Sequence, residues 1–476
     1  MIGVVDISAV LPAIIVALAA FAVLLSGAFA NAGISACRLI ATAGLLGALA
    51  EVLVRQSAGN LGGTVVGGPY SLFLEASILI VAIVAVWLAS ARIEDDHVNP
   101  HEFLTLMLFS VVGMLGLATA AEAISLFVAL EIMSVALYAL CAMPRTAPQR
   151  QEAAIKYFIT GAFSSAFLLF GIALLYGASG STTFVSMSGA VSQGGPLALM
   201  GAAFFLVGFL FKVGAAPFHM WSPDVYQGAT TSVTAFMAAA VKIAAFGALG
   251  RVVALAIGGV SASWVPAVAL VAAFTMVIGN LGALAQSDLK RLLAYSSVAH
   301  AGYMLSGIVG MDNRGDGLDA VLFYISTYAI TNLGAFAFLI AIRRNGSEPA
   351  TITDLRGFAR RNPSLAAMLT LMLISLTGIP VSAGFVGKFQ LFKAAVQAGY
   401  SGIAIVGVLM SAVSAFYYLR LVVLMYMEEP DEGSVFQTEA GAAPWIVTVA
   451  AAITFGLGIY PAPLLALAKA AAASLF

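Results

Sequence analysis

Hydrophobic runs of about twenty residues recur along this chain, each long enough to cross ~30 Å of hydrocarbon as an α-helix. That repetition constrains the fold more than any other feature. With 62% hydrophobic and 9% charged residues among 476, the chain has too little polar surface for a soluble globule, which carries roughly 25% charged residues. The alternating pattern of a membrane β-barrel is absent. The expected fold class is an all-α polytopic membrane protein. A net charge of -1 offers nothing to nucleic acid. Cys37 and Cys141 lie far apart in apolar segments. They lack the spacing of a zinc site and cannot alone hold an iron–sulfur cluster, so they read as small core residues. Ala28-Phe29-Ala30 resembles a signal-peptidase site, but Asp6 and no basic residue precedes the first run. A cleavable signal begins with a basic region, so the run reads as a retained helix.

About fourteen spans begin near residues 8, 34, 70, 102, 121, 152, 197, 229, 264, 290, 317, 364, 400 and 441. One alternate set of loops holds Arg92, Arg145, Arg150, Lys290, Arg291, Arg343, Arg344, Arg356, Arg360 and Arg361. The opposite set holds mainly Arg55, Arg251 and Arg314. Excess Lys and Arg mark the cytoplasmic side, which puts both termini outside. The uncharged loop 177–196 falls outside with them.

Two spans are interrupted. The seventh reads LVGFLFKVGAAPFHMWSPDVYQG and the twelfth LMLISLTGIPVSAGFVGKFQLF. Pro217 removes the donor for the Val213 carbonyl, and Pro380 does the same to Leu376. In lipid such freed groups survive inside protein or beside a wet cavity, and paired broken helices point to a transporter built from repeats. The prolines are 163 residues apart, as are Ser134-Val135-Ala136 and Ser297-Val298-Ala299. Ala154 to Thr160 resembles Ala320 to Ser326 at an offset of 166. These matches suggest three N-terminal helices (1–100), two five-helix repeats (101–258 and 259–428), the second inverted because five is odd, and a C-terminal helix (429–476).

Charge inside these spans carries the chemistry. Of seven lysines, Lys156, Lys212, Lys242 and Lys388 fall within apolar segments, and Glu131 sits in the middle of AISLFVALEIMSVALYALCAM. Each charge at a helix centre costs about 2.5–3.5 kcal/mol on the insertion scale. Five would cost on the order of 15 kcal/mol unpaired and ionised, as much as the whole ~5–15 kcal/mol stability of a typical domain. They are expected to be paired, hydrated or partly neutral. Burial disfavours a charged lysine and a nearby carboxylate favours it, so a Lys–Glu pair of variable separation is a switchable proton holder. Arginine, which hardly releases its proton, cannot serve this way.

Each residue also has a plainer reading. Glu131 and Lys212 could be a static ion pair. Glu152 lies four positions before Lys156 on the same helix face. Lys242 and Lys388 could snorkel. Glu51 and Glu75, in the second and third spans, could join the network or face a partner. His219 beside the first break and His300 in LLAYSSVAHAGYM are relay candidates, since histidine titrates near neutrality. Tyr295, Ser296, Ser297 and Tyr303 near His300 are suited to ordering water. No GxGxxG follows a strand and no Walker A sequence occurs, so any electrons travel elsewhere.

LEIMSVALYAL, EAAIKYFITGAFSSAFLLFG, FKVGAAPFHMWSPDVYQG, SDLKRLLAYSSVAHAGYML, GIPVSAGFVGKFQLF and SAVSAFYYLRLVVLMYM together resemble the antiporter-like subunits of bacterial NADH–quinone oxidoreductase, respiratory complex I, and subunit N in particular. The resemblance covers about residues 100–430. It implies fourteen helices with two inverted five-helix repeats, each holding a broken helix. It also implies that Glu131 and Lys212 form the modulating pair, that Lys156 and Lys242 are the sixth- and eighth-helix lysines, and that Lys388 releases a proton outward. Lysine at this last position favours subunit N over subunit M. The sequence departs from the pattern at Gly228-Ala229-Thr230-Thr231-Ser232-Val233-Thr234-Ala235-Phe236, where the family's GAPTPVTAF carries two prolines, and at Val381-Ser382, where Pro-Thr is common.

The resemblance implies a multi-pass protein of the bacterial inner membrane with periplasmic termini, touching lipid, neighbouring antiporter-like subunits and small membrane subunits. Quinone would be met only through the complex. No cofactor is expected in this chain; flavin and iron–sulfur clusters would sit in partner subunits. A Mrp-type cation/proton antiporter subunit and a purely structural membrane-arm subunit are the alternatives.

Overall fold

The structure is a computed structural model that describes all residues except 1–6, 31, 56–58, 94–97, 145–146, 313, 432, 434 and 440. Asp6 and Arg145 lie outside the described residues. Among the described residues, thirteen helices are long and apolar enough to cross a membrane. They run Leu11–Ala30, Ile34–Val54, Pro69–Ser90, Pro100–Thr119, Ala123–Cys141, Pro148–Ser179, Pro196–Val213, Thr231–Ile257, Ser261–Leu284, Leu289–Val309, Leu318–Ala341, Ser401–Met427 and Ala442–Ile459. Two shorter helices, Pro363–Thr377 and Ala383–Gln397, make one further interrupted span, the twelfth of fourteen. Hydropathy located these starts to within a few residues because lipid thickness fixes span length. Three additions escaped it. A short helix, Phe184–Ser192, occupies the loop after the sixth span, the four-residue helix Phe358–Arg361 leads into the twelfth, and Ala462–Ala473 follows the last span.

Proline or a polar cap starts half of the fourteen spans. Pro69, Pro100, Pro148, Pro196 and Pro363 open theirs, where a missing N–H costs no helical bond. Glu122 and Asp288 cap the fifth and tenth spans by accepting from the amides of Ser125 and Arg291.

The two halves share a packing register. A Cβ on Gly113 would lie 2.3 Å from the Met133 nitrogen, and one on Gly279 would lie 2.4 Å from the Ala299 nitrogen. Small residues let helix backbones approach this closely in membranes. Gly116 against Ala129 and Gly282 against Tyr295 repeat the relation. Every member of this set is displaced by 166 residues. The 163-residue match of Ser134-Val135-Ala136 to Ser297-Val298-Ala299 is therefore out of register by about one helical turn. In the packed structure Ser134 corresponds to His300 and Glu131 to Ser297.

Both breaks are built alike. Each first half-helix ends at a glycine in the left-handed region, Gly214 (φ 74°) and Gly378 (φ 87°), conformations that other residues adopt at a cost. The chain therefore turns away three and two residues before Pro217 and Pro380, rather than at the prolines. The Ala215 amide donates to the Leu210 carbonyl and the Ile379 amide to that of Ile374, and so satisfies carbonyls a helix end would strand. Counted from these glycines, Lys212 corresponds to Leu376, not to Ser375 as the proline spacing implies.

Candidate functional site

The eighth, tenth and eleventh spans are almost wholly enclosed, with 89–94% of their most apolar windows buried. Lys242 and His300 lie on this inner set, and Lys212 and Lys388 flank it.

Lys212, 3% exposed, ends the first half of the seventh span. Its Nζ donates to Ser134 Oγ at 2.8 Å and to Tyr138 OH at 3.4 Å. Ser134 Oγ itself donates a hydrogen bond to the Leu130 carbonyl. Glu131, one turn before Ser134 on the fifth span, accepts from Ser165 Oγ. It acts on Lys212 through space and makes no ion pair with it. The expected Glu131–Lys212 contact is thus replaced by a serine-spaced arrangement, in which the two charges attract without being locked.

Beyond Lys212 lies a void of about 10 Å³, walled by Trp221, Ser222, Tyr226 and Met237 and reaching Lys242. That is roughly the space one water molecule requires. Lys242 follows a π-helical turn, Met237–Val241. Such turns interrupt the α-helical ladder and often mark functional positions. Its Nζ donates to the Ser297 carbonyl and lies 5.6 Å from the Tyr328 ring centroid. It does not snorkel.

Aromatic rings carry the line onward. Tyr328 packs 4.9 Å from the His300 ring, and His300 packs edge-on to Tyr303 at 5.5 Å. The Tyr303 ring centroid is 4.4 Å from Lys388 Nζ. His300 Nδ1 shares a hydrogen bond with Tyr324 OH at 2.6 Å, its Nε2 lies 3.4 Å from Tyr418 OH, and Tyr418 bonds to Ser296. Lys388 has three acceptors, the carbonyls of Leu376 (3.0 Å) and Thr377 (2.9 Å) and Ser411 Oγ (3.1 Å). It therefore fills the second break from within the protein and does not snorkel either. At the first break Trp221 Nε1 donates to the Phe211 carbonyl at 3.1 Å, which also accepts the Gly214 amide.

Two expected residues stand apart. Lys156 is exposed, not buried. Its helix is 32 residues long, about 48 Å at 1.5 Å per residue, so its first turns project beyond the hydrocarbon. Lys156 Nζ lies 2.8 Å from both Glu152 and Asp224, and Asp224 also pairs with Arg291 at 2.6 Å. Glu152, Lys156 and Asp224 border a polar cleft of about 600 Å³ that also meets Arg92, Lys290, Glu348 and residues 230–232. The short helix Trp221–Gly228 separates cleft from void: Asp224 and Gln227 face the first, Trp221, Ser222 and Tyr226 the second. At the proline-free loop, Thr230 Oγ1 and Ser232 Oγ, which stand where the family pattern has proline, lie 3.4 Å apart, a contact two prolines would not make, while Thr231 Oγ1 donates to Glu348 at 2.7 Å and Thr234 Oγ1 to the Tyr226 carbonyl at 3.0 Å. His219 is half-buried, with Nδ1 unpartnered among the described residues and its ring 6.4 Å from Tyr295. It is not joined to the row.

Sequence reasoning missed Ser134, Ser165, Tyr328 and Ser411. A serine or tyrosine inside an apolar run leaves no signal comparable to a charge, and backbone acceptors leave none. Arg251, taken for a loop residue, is buried within the eighth span.

A row of buried ionisable groups across a helical scaffold with two capped breaks defines a membrane ion carrier built from repeats. Residues 120–414 match the family described as NADH:quinone oxidoreductase/Mrp antiporter, TM, and the chain belongs to that family. Among its relatives, NADH-quinone oxidoreductase subunit N of Moorella thermoacetica is 42% identical over 92% of both chains. Subunit N 1 of Acidiphilium cryptum is 39% identical over 98% of both. A chain of respiratory complex I from Thermus thermophilus superposes with a TM-score of 0.82 at 35% identity, covering 96% of this chain and 99% of that one. A chain of the Mrp complex from Dietzia shares the fold, with a TM-score of 0.83 at 21% identity and coverage of 98% and 97%.

Proposed function

We propose that this chain is the subunit N-type, antiporter-like component of a proton-pumping NADH–quinone oxidoreductase, and that it moves protons along Glu131, Lys212, Lys242, His300 and Lys388. The observation that carries the reading is the unbroken lateral sequence of contacts from Lys212 through the one-water void to Lys242, and from there through Tyr328, His300 and Tyr303 to Lys388. Lys242 and Lys388 have no ion-pair partner among the described residues. A fastening role for such charges would call for direct pairing.

In this mechanism quinone reduction elsewhere in the complex shifts the separation of Glu131 and Lys212. A carboxylate moving toward Lys212 strengthens its hold on a proton, and one moving away weakens it. The released proton crosses the void to Lys242, passes the His300 cluster and leaves from Lys388. Lys156, with Glu152, Asp224 and Arg291, gathers protons at the cleft. Flavin and iron–sulfur clusters belong to partner subunits. The units 1–100, 101–258, 259–428 and 429–476 are the working divisions, with both termini on the outer side of the bacterial inner membrane. Supporting that orientation, ion pairs tie Arg92, Arg291, Arg344, Arg356 and Arg360 to acidic loop partners. Identity of 35% to a complex I chain against 21% to a Mrp chain favours this reading over the antiporter alternative.

The test is proton pumping per electron by assembled complex in proteoliposomes carrying Lys242→Ala or Glu131→Gln. Both variants are expected to lower the stoichiometry. Wild-type values in both would overturn the proposal.

A further inference from the structure

A second group of buried charges lies away from the row, among the N-terminal helices. Glu51 sits in the last turn of the second span and Arg55 caps that helix. Glu75, 1% exposed, lies in the third span, and Arg251, 3% exposed, in the eighth. Arg55 Nη2 donates to Glu75, and its Nη1 donates to the Ser8 carbonyl at 2.7 Å. Its Nε is 3.8 Å from Glu51 Oε1 and makes no hydrogen bond. Glu51 Oε2 is buried without a hydrogen-bond partner among the described residues. Arg251 Nη2 donates to Ser71 Oγ at 2.6 Å and to the Ala118 carbonyl at 2.7 Å.

A cluster that only fastened helices would pair every charge, because one left uncompensated in the interior costs more than a pair gains. Here two carboxylates flank the Arg55 guanidinium, the hydrogen bonds of Arg251 go to Ser71 and the Ala118 carbonyl, and Glu51 Oε2 lacks a donor among the described residues. Carboxylates sharing a site do not both stay ionised, and arginine does not give up its proton. The group that adjusts is a glutamate. A proton on Glu51 Oε2 converts a stranded acceptor into a donor and removes the like charge beside Glu75.

We propose that Glu51 and Glu75 form a proton-binding pair, holding one proton between them, that reads acidity on the side receiving pumped protons and reports it to the eighth span. The proton comes from water at that face and adds to a carboxylate oxygen; no other bond changes. The pair is faced by Arg55 from the second span and Arg251 from the eighth, whose guanidinium lies over the Tyr70 ring at 5.2 Å. Ser71, one turn before Glu75, binds Arg251, and Tyr70 OH donates to the Gly247 carbonyl at 2.7 Å. Arg251 lies nine residues after Lys242 on the same span. Leu74 fills the space against Gly247, so the signal passes as charge and helix position, not as a conducted proton. The inference rests on the reading of Lys242 as a carrier and on the proposed orientation.

Assembled complex is reconstituted in liposomes with the pH of the receiving compartment varied, and infrared difference spectra are recorded across the same range. Wild type is expected to show a protonated-carboxyl stretch that Glu51→Gln or Glu75→Gln removes. Acid inhibition of pumping in either variant is expected to shift by about one pH unit. Lys242→Ala should lose pumping yet keep the band, which separates failure of the carrier reading from failure of this one. If Glu75→Gln does not assemble, Glu51→Gln decides alone. A wild-type band and wild-type acid response in the assembled Gln variants would reduce the cluster to a static ion group and overturn the proposal.

Discussion

The environment of Lys388 can be counted proton by proton. An ammonium has three N–H donors, and Leu376, Thr377 and Ser411 take one each. A neutral amine has two donors and a lone pair. The carbonyls only accept, so they keep the two donors, and Ser411 turns its hydroxyl to donate to the lone pair. Ser411 alone of the three suits both states. Ser411→Ala should therefore slow pumping about ten-fold or more, matching loss of a hydrogen bond to a charged group at about 1.5–3 kcal/mol, whereas Ser411→Thr should stay close to wild type. Pumping rates of assembled complex in proteoliposomes would check both. The lysine was legible because a charge in an apolar run is conspicuous. Its partners were not, since two are backbone carbonyls and the third a serine 23 residues away.

The breaks act at the scale of the element. At the first, a neutral indole and the Gly214 amide share the Phe211 carbonyl. At the second, the donor is Lys388, the proposed proton carrier. Trp221→Phe should remove one of the two donors to the Phe211 carbonyl, leaving the Gly214 amide at 3.0 Å, at a cost of about 0.5–1.5 kcal/mol, seen as a lower melting temperature of the complex. Val381, just beyond the second break, has φ 70°, which a β-branched residue adopts with strain. Val381→Gly should leave the complex no less thermostable, and a clear drop would show that the branched side chain is required. On the side proposed to be cytoplasmic, the Asp354 carboxyl is partly buried, which alone would raise its pKa. The amides of Thr351 and Ala350, the Thr351 hydroxyl and Arg344 outweigh this and hold it below the usual carboxylate value. A depressed folded-state pKa gives stability that is present above the unfolded value and lost as pH falls through the folded one. Asp354→Asn should therefore weaken the complex at neutral pH and narrow its difference from wild type in acid, as thermal melts across pH would record. Span positions were legible because hydrocarbon thickness dictates length. The exact turning points were not, since two prolines advertised breaks that the glycines make.

For the molecule as a whole, the sequence placed Lys156 with the other lysines, and the structure separates it. Its span exceeds the membrane, and its partner Asp224 is 68 residues away, beyond the reach of a local pattern. Lys156→Ala and Asp224→Asn should reduce proton uptake modestly and in a salt-dependent manner, as exposed charges are screened. Lys242→Ala should act independently of salt. Pumping measured at two ionic strengths distinguishes them, and equal salt response would contradict the separation of cleft from row. The void between Lys212 and Lys242 has a consequence of its own. A crossing that seats one molecule cannot hold a standing wire of water. On the proposed path the protein would thereby be an insulator by default, passing charge as a turnstile passes travellers, singly and when pushed. That is what a machine spending energy to charge a membrane needs, since any open conduit would discharge it.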